Sequence, residues 1–225
     1  MPPGMNTVMA DPTKADQVLA EVIPGILEWS GRHPNHGSIV HSHYLTEQRV
    51  AIDPIGIDGI VAALERAGGV EQVVLTNRHH LRGAEEIIAA SGAVLRCPRT
   101  GLHAFEGADT PTAVGYGWEE EVAENVTAHE VGSLSPDEGA LHIAVGPGAL
   151  AFADTIVADE RGLGFVPDSL MDDPEGTKRG IVAAIRPLLD LDFDVLLMAH
   201  GAPIPVGGKQ VLAAFADSPR TASLS

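Results

Sequence analysis

The chain has a single cysteine, Cys97, so it cannot form an intramolecular disulfide and does not read as a disulfide-stapled secreted domain. Basic residues are scarce as well. Fourteen lysines and arginines, only three of them lysines (Lys14, Lys178, Lys209), stand against 31 acidic residues, giving a formal net charge of −17. Affinity for nucleic acids and anionic headgroups comes mainly from neutralising phosphates with Lys and Arg, so neither is expected as a partner. A small-molecule substrate or ligand is expected instead, with homo-oligomerisation left open. No apolar run approaches membrane-spanning length, and "MPPGMNTVMADPTKADQVLAEV" lacks the basic segment and apolar stretch of a secretory leader, so the expectation is a cytoplasmic protein.

What is present is an ordinary globular composition. Hydrophobic residues make up 44% and charged residues 20% of 225, enough to bury one sizeable core. Three segments are expected: a loose lead-in over residues 1–21, one domain over 22–216, and a tail over 217–225. "SIVHSHYL" alternates, with Ile39, His41, His43 and Leu45 on one face, and "RVAID" follows after "TEQ", which predicts a hairpin. "GIDGIVAALERAGG" has helical spacing and stops at Gly68-Gly69. "VEQVVL", the helical "GAEEIIAASG" and "AVLRCP" then form a strand, helix and strand, a crossover unit feeding a sheet. Residues 99–126 give no clear pattern. "NVTAHEV", "ALHIAV" and "ALAFAD" read as three strands, and a helix over 174–189, with Asp173 as N-cap, precedes the strand in "FDVLLMAHG". The order implies two similar halves.

Polar residues follow several of these strands: Asp53, the cluster in "TNRHHLRG", Asp154 and His200. Strand ends that open on one crevice are where layered α/β proteins build sites. His41 and His43 share a strand face but alternate with apolar residues, as packing side chains would. Trp29 and Trp118 are also read as packing residues.

In order and motif the chain resembles the metallo-β-lactamase-fold superfamily over about residues 22–212. "VAIDPIG" resembles the strand ending in Asp-Thr-Gly, and "VLTNRHHLRG" the strand ending in Thr-His-x-His-x-Asp-His-x-Gly. "GSLSPDEGALHI" resembles the turn with Gly-His-(Ser/Thr)-Pro, "LAFADTI" the strand ending in Gly-Asp, and "VLLMAHGAPI" the final Gly-His-Gly. The resemblance implies a four-layer αββα sandwich of the α/β class and hydrolysis of esters, thioesters, lactones, lactams or phosphodiesters. The family binds two metal ions, usually zinc, through these motifs. Here Asn77, Leu81 and Arg82 stand where the family has His, Asp and His, and Ser133-Leu134 stands where it has Gly-His, so only His79, Asp154 and His200 remain of the usual ligands.

Leucine donates nothing to a metal, and guanidinium is always charged and never an acceptor. A unit charge about 6 Å from a divalent ion costs roughly 5 kcal/mol at an effective dielectric of about 20. The expectation is therefore no cofactor or a single divalent cation (Zn, Fe or Mn), not two ions. Two arrangements stay open. In one, His79, Asp154 and His200 hold a single ion. In the other, Arg82 replaces the cation and pairs with Asp154 and Asp53, while Asn77 and His79 hydrogen-bond in a metal-free pocket, where His79 or His200 acts as general base and Arg82 or Arg78 stabilises an oxyanion. In an extended segment Asn77 and His79 project to one side and Arg78 and His80 to the other, so His80 is expected in a supporting or exposed place. Asn77, Arg78, His80 and Asp53 are the candidate substrate-binding residues. The expected function is hydrolysis of a small ester, thioester or lactone, with a catalytically inactive ligand-binding or interaction protein as the alternative.

Overall fold

A computed structural model describes residues 18–220. The first sheet takes seven strands in chain order: β1 (Ala20–Ile23), β2 (Ile26–Arg32), β3 (Ile39–Leu45), β4 (Val50–Ile52), β5 (Gln72–Val74), β6 (Val94–Pro98) and β7 (Ala113–Tyr116). The second is built from β8 (Glu121–Ala123), β9 (Val126–Glu130), β10 (Gly139–Ile143), β11 (Ala149–Phe152) and β14 (Val195–Met198), ordered β14-β11-β10-β9-β8. Between β11 and β14 lies a small hairpin of β12 (Val157–Asp159) and β13 (Gly162–Gly164). The helices are α1 (Ile60–Arg66), α2 (Ala84–Ser91), α3 (Pro174–Leu188) and α4 (Gly208–Asp217). None is long and apolar enough to cross a membrane, among the described residues.

Three apolar clusters define the layers. Trp29, Val40, Tyr44, Ile60, Leu64, Ile87 and Leu95 join the first sheet to α1 and α2. Ile26, Leu45, Ile52, Val74, Leu141, Ala151 and Leu197 fill the space between the sheets. Phe152, Ile181, Ile185, Met198, Leu212 and Phe215 join the second sheet to α3 and α4. The result is the expected αββα sandwich. Alternation decides which cluster each β3 residue enters: Val40 and Tyr44 face the helices, and Leu45 faces the other sheet.

The expected hairpin is β3 paired antiparallel with β4, and the crossover unit is β5, α2 and β6, with the strands parallel. Asp173 caps α3, its carboxylate accepting from Gly176 N–H at 3.0 Å, with Pro174 in the first turn where its missing N–H costs nothing. The unassigned region 99–126 contains β7 and β8, short strands with no usable period. The lead-in mostly lies outside the described residues, and its last two, Ala20 and Glu21, belong to β1. After α4, the Arg220 carbonyl accepts from Phe165 N–H and its side chain pairs with Asp159, so the start of the expected tail packs on the domain.

Two glycines matter for the crevice between the sheets. A Cβ on Gly83 would lie 2.0 Å from the Gly56 nitrogen, so the loops after β4 and β5 touch there. Gly201 has φ +120 and its Cβ position is 2.6 Å from Ala158, which packs the segment after His200 against β12.

Candidate functional site

Asp53 follows β4 directly, with φ +47, and is 3% exposed. Its carboxylate accepts from Thr76 N–H at 2.8 Å, binds the Thr76 hydroxyl, and lies 3.0 Å from His80 Nδ1. Asp154 follows β11 and His200 follows β14; these neighbouring parallel strands bring the two residues together. His200 Nε2 is 3.0 Å and His80 Nε2 is 3.1 Å from the same Asp154 oxygen, Oδ1.

The extended segment expected after β5 is instead a tight 3-10 turn over Arg78–Leu81. Asn77 caps it, its side-chain oxygen accepting from His79 N–H at 2.9 Å, and its amide donates to Glu138 at 2.9 Å and Asp154 at 3.0 Å. The turn reverses the expected sidedness: His80 is buried between two carboxylates, and His79 is exposed on the wall of the crevice. Among the described residues, the ligand atoms of one histidine and carboxylate group, His80, Asp154 and His200, lie within 4.8 Å of one another. His79 is not part of it.

The arginines are used differently from the expectation too. Arg78 turns away from Asp154, its N–H and guanidinium both binding Asp137, with Ser135 Oγ at 3.0 Å. Arg82 does not take the cation's place by pairing with Asp154 and Asp53, because His80 takes both carboxylates. Its backbone, at φ 35 and ψ −106, directs the side chain into a cavity shared with Arg32 and Glu86, and its buried Nε and Nη1 have no hydrogen-bond partner among the described residues.

Glu138, which the sequence did not single out, is fully buried beneath Asp154. One of its oxygens accepts from Asp154 N–H, Thr155 N–H and the Thr155 hydroxyl, each at 2.7 Å, and the other accepts from Asn77. The sequence signal is the Asp-Glu pair in "SPDEG", but in a chain with 31 acidic residues nothing distinguishes that pair from solvated charge.

The charges are tightly linked. Burial alone would lower the His80 pKa, but the negative charges of Asp154 and Asp53 outweigh it and hold the imidazole near a pKa of about 9. Burial would likewise raise Asp154, but His80 and His200 pull it well below the usual carboxylate range. Asp53 is lowered against its own burial by His80, Arg82 and Thr76. Glu138 is pushed up to about 7, by burial first and then by the charge of Asp154. At the mouth, His33 and His36 stack with ring centroids 3.8 Å apart, and burial together with His36, Arg82 and His200 lowers His33 to about 4.

Two cavities meet at His200. One, of about 740 Å³, is lined by His36, His79, Asp154, Leu134, Val166 and Leu170. The other, of about 800 Å³, is lined by His41, Ala158, Arg161, Gly201 and Ile204. A polar centre under a partly apolar crevice is the usual form of a small-molecule site.

With this layering and with its polar centre at the strand ends, the chain has the metallo-β-lactamase fold. It superposes on Rm3 metallo-beta-lactamase with a TM-score of 0.61 at 15% identity, covering 88% of this chain and 91% of that one. A metallo-beta-lactamase family protein from Thermus thermophilus gives 0.63 at 14% identity, covering 88% and 80%. The metal-soaked Flv1 flavodiiron core from Synechocystis gives 0.66 at 12% identity, covering 88% of this chain; the chain spans 60% of that core's length. No protein-family model and no curated protein matches the chain.

Proposed function

We propose that the chain is a hydrolase of a small ester, thioester or lactone, with its reaction centre at His80, Asp154 and His200 and room there for one divalent cation. The observation that carries this is one carboxylate oxygen faced by two imidazole nitrogens at 3.0 and 3.1 Å. Such a focus needs positive charge, supplied either by a proton on His80 or by a metal ion.

The residues fit a single ion. Two nitrogens and one oxygen, spaced for bonds of about 2.1 Å, leave positions open for water and substrate. Asp53 on His80 Nδ1 sets the tautomer that leaves Nε2 free to ligate. The Asp53 carboxylate also offsets the charge of Arg82. The positions at which the family holds a second ion have lost their donors: the Asn77 amide is engaged with Glu138, Asp154 and His79, and Leu81 and Leu134 offer none. A bound Zn, Fe or Mn ion would supply Lewis acidity, polarising a substrate carbonyl and acidifying water.

The chain's own residues do the rest. Glu138 and Asn77 fix the angle of Asp154, and Asp53 fixes the ring of His80. The exposed His79 meets substrate from the crevice wall, and Leu134, Val166 and Leu170 receive an apolar acyl part. The engagement of Asn77 and Arg78 in internal hydrogen bonds favours a second reading, a ligand-binding protein without chemistry. The test is elemental analysis of chain purified without chelator, of its His80→Ala and His200→Ala variants, and a hydrolysis panel of small esters, thioesters and lactones. Turnover that falls at least tenfold in both variants supports the hydrolase. A panel without turnover leaves the binding protein, and metal content decides whether the centre holds an ion or a proton.

A further inference from the structure

The second cavity at His200 contains a histidine that the proposed centre does not use. The alternation of β3 places His41 and His43 on the face turned toward the second sheet, and the antiparallel register places Glu28 of β2 opposite His43 and diagonal to His41. Glu28 Oε2 lies 3.1 Å from His41 Nδ1, and the His41 and Glu28 side chains are 14% and 24% exposed. The backbone N–H of His41 donates to the Ala199 carbonyl at 2.8 Å, so the β3 strand is tied to the residue before His200. His41 and His200 both line the 800 Å³ cavity.

His43 does not share this arrangement. It is wholly buried, its Nε2 has no hydrogen-bond partner among the described residues, and burial lowers its pKa to about 4, so it is a neutral packing residue. His129 resembles His41 in pairing its Nδ1 with a carboxylate, Glu119, at 2.9 Å, but its Nε2 is buried without a partner among the described residues. His41 has both a carboxylate on one nitrogen and a place on a cavity wall beside the centre.

We propose that His41, oriented by Glu28, is the proton donor to the leaving group, and that the cavity it shares with His200 receives the alcohol or thiol side of the substrate. This rests on the hydrolase reading. In the step, a water oxygen bonds to the acyl carbon and the bond from that carbon to the leaving oxygen or sulfur breaks. The leaving atom keeps the electron pair and takes the Nε2 proton of the His41 imidazolium. Water loses two protons as its oxygen becomes part of the carboxylate product: one restores the His41 imidazolium and the other is released, so ester and water give carboxylate, alcohol and one proton. Glu28 is a positioning residue: by accepting from Nδ1–H it keeps the Nε2 side turned to the cavity in both protonation states.

The test compares ethyl and p-nitrophenyl esters of the acyl group that the hydrolysis panel identifies. The p-nitrophenolate leaves without needing a proton, whereas ethoxide does not. His41→Asn is expected to lower kcat on the ethyl ester about a hundredfold and on the p-nitrophenyl ester by no more than roughly threefold. Glu28→Gln should show the same split more weakly, and Glu28→Asp should recover part of it. Equal losses on both esters, or none, overturn the proposal. If the panel finds no turnover, the hydrolase reading is what falls, and diethyl pyrocarbonate labelling with peptide mapping at pH 8 decides the dyad separately. Rapid modification of His41, slowed at least threefold or so by Glu28→Gln, supports an imidazole base held by Glu28; an unreactive His41, or one indifferent to Glu28→Gln, overturns it.

Discussion

At the ends of β11 and β14 the chain runs straight into its donors, Asp154 two residues after Phe152 and His200 two residues after Met198. At the end of β5 it does not: His80 lies six residues beyond Val74, past a cap and inside a 3-10 turn. Over two residues strand alternation still fixes where a side chain points. Over six, with about three residues per turn in place of a period of two, it does not. The β5 end therefore depends on the side chains that fold it, Asp53, Asn77 and Glu138, whereas the other two ends depend on their sheet. Substitutions at the β5 end should break that contrast in graded fashion.

Removing the acceptor under the β5 turn should have the largest effect. Asp53→Ala deprives Thr76 and His80 of their shared carboxylate and leaves a buried imidazole paired on one side only, which should cost about 3–5 kcal/mol in urea unfolding. A loss under 1 kcal/mol or so would mean that the turn does not need Asp53.

The pH response of the same buried ring is next in size. The folded, metal-free chain keeps the His80 proton up to about pH 9, whereas an unfolded histidine loses it near 6.5. The stabilisation is therefore complete below pH 6.5 and is lost as the pH rises through 9, a decline on the order of 3 kcal/mol that His80→Gln should abolish. Unfolding curves at pH 6, 7.5 and 9.5 check it; a wild-type chain whose stability is flat across that range would place His80 outside the two carboxylates.

Asn77→Ala comes third. It removes the cap of the turn and the two amide bonds that link it to Glu138 and Asp154, for an expected loss of about 2 kcal/mol in thermal or urea unfolding. His79→Ala should be the smallest, within about 0.5 kcal/mol, since the side chain is exposed. If His79→Ala proves as costly as Asn77→Ala, the sidedness of the turn is wrong.

The same contrast explains what the sequence could tell. The αββα order, the β3–β4 hairpin, the β5–α2–β6 crossover and the capped α3 are set by local period and by Gly, Pro and Asp punctuation, and all are readable. Asp154 and His200 are readable because each sits directly after an apolar strand. The exchange of His79 for His80 was not readable, because it depends on Asn77 capping a turn with partners 61 and 77 residues away in the chain. Glu138 was hidden for the same reason, as its importance comes from the donors of Asn77, Asp154 and Thr155 that only the fold collects. Arg82 was identified as the residue at odds with a metal, but its direction follows from a left-handed φ that no pattern of residue types announces.

The central claim is that His80, not His79, completes the centre with Asp154 and His200, so that any ion bound there is held by these three. It is tested most directly by titrating chelator-treated chain with Co(II), following the visible absorption bands of the bound ion and its stoichiometry, in wild type and in the His79→Ala and His80→Ala variants. One ion per chain is expected in wild type and in His79→Ala, with affinity lost by at least about a hundredfold in His80→Ala. Binding that survives in His80→Ala but disappears in His79→Ala would contradict the account, and a wild type that binds none would assign the positive charge of the centre to the His80 proton.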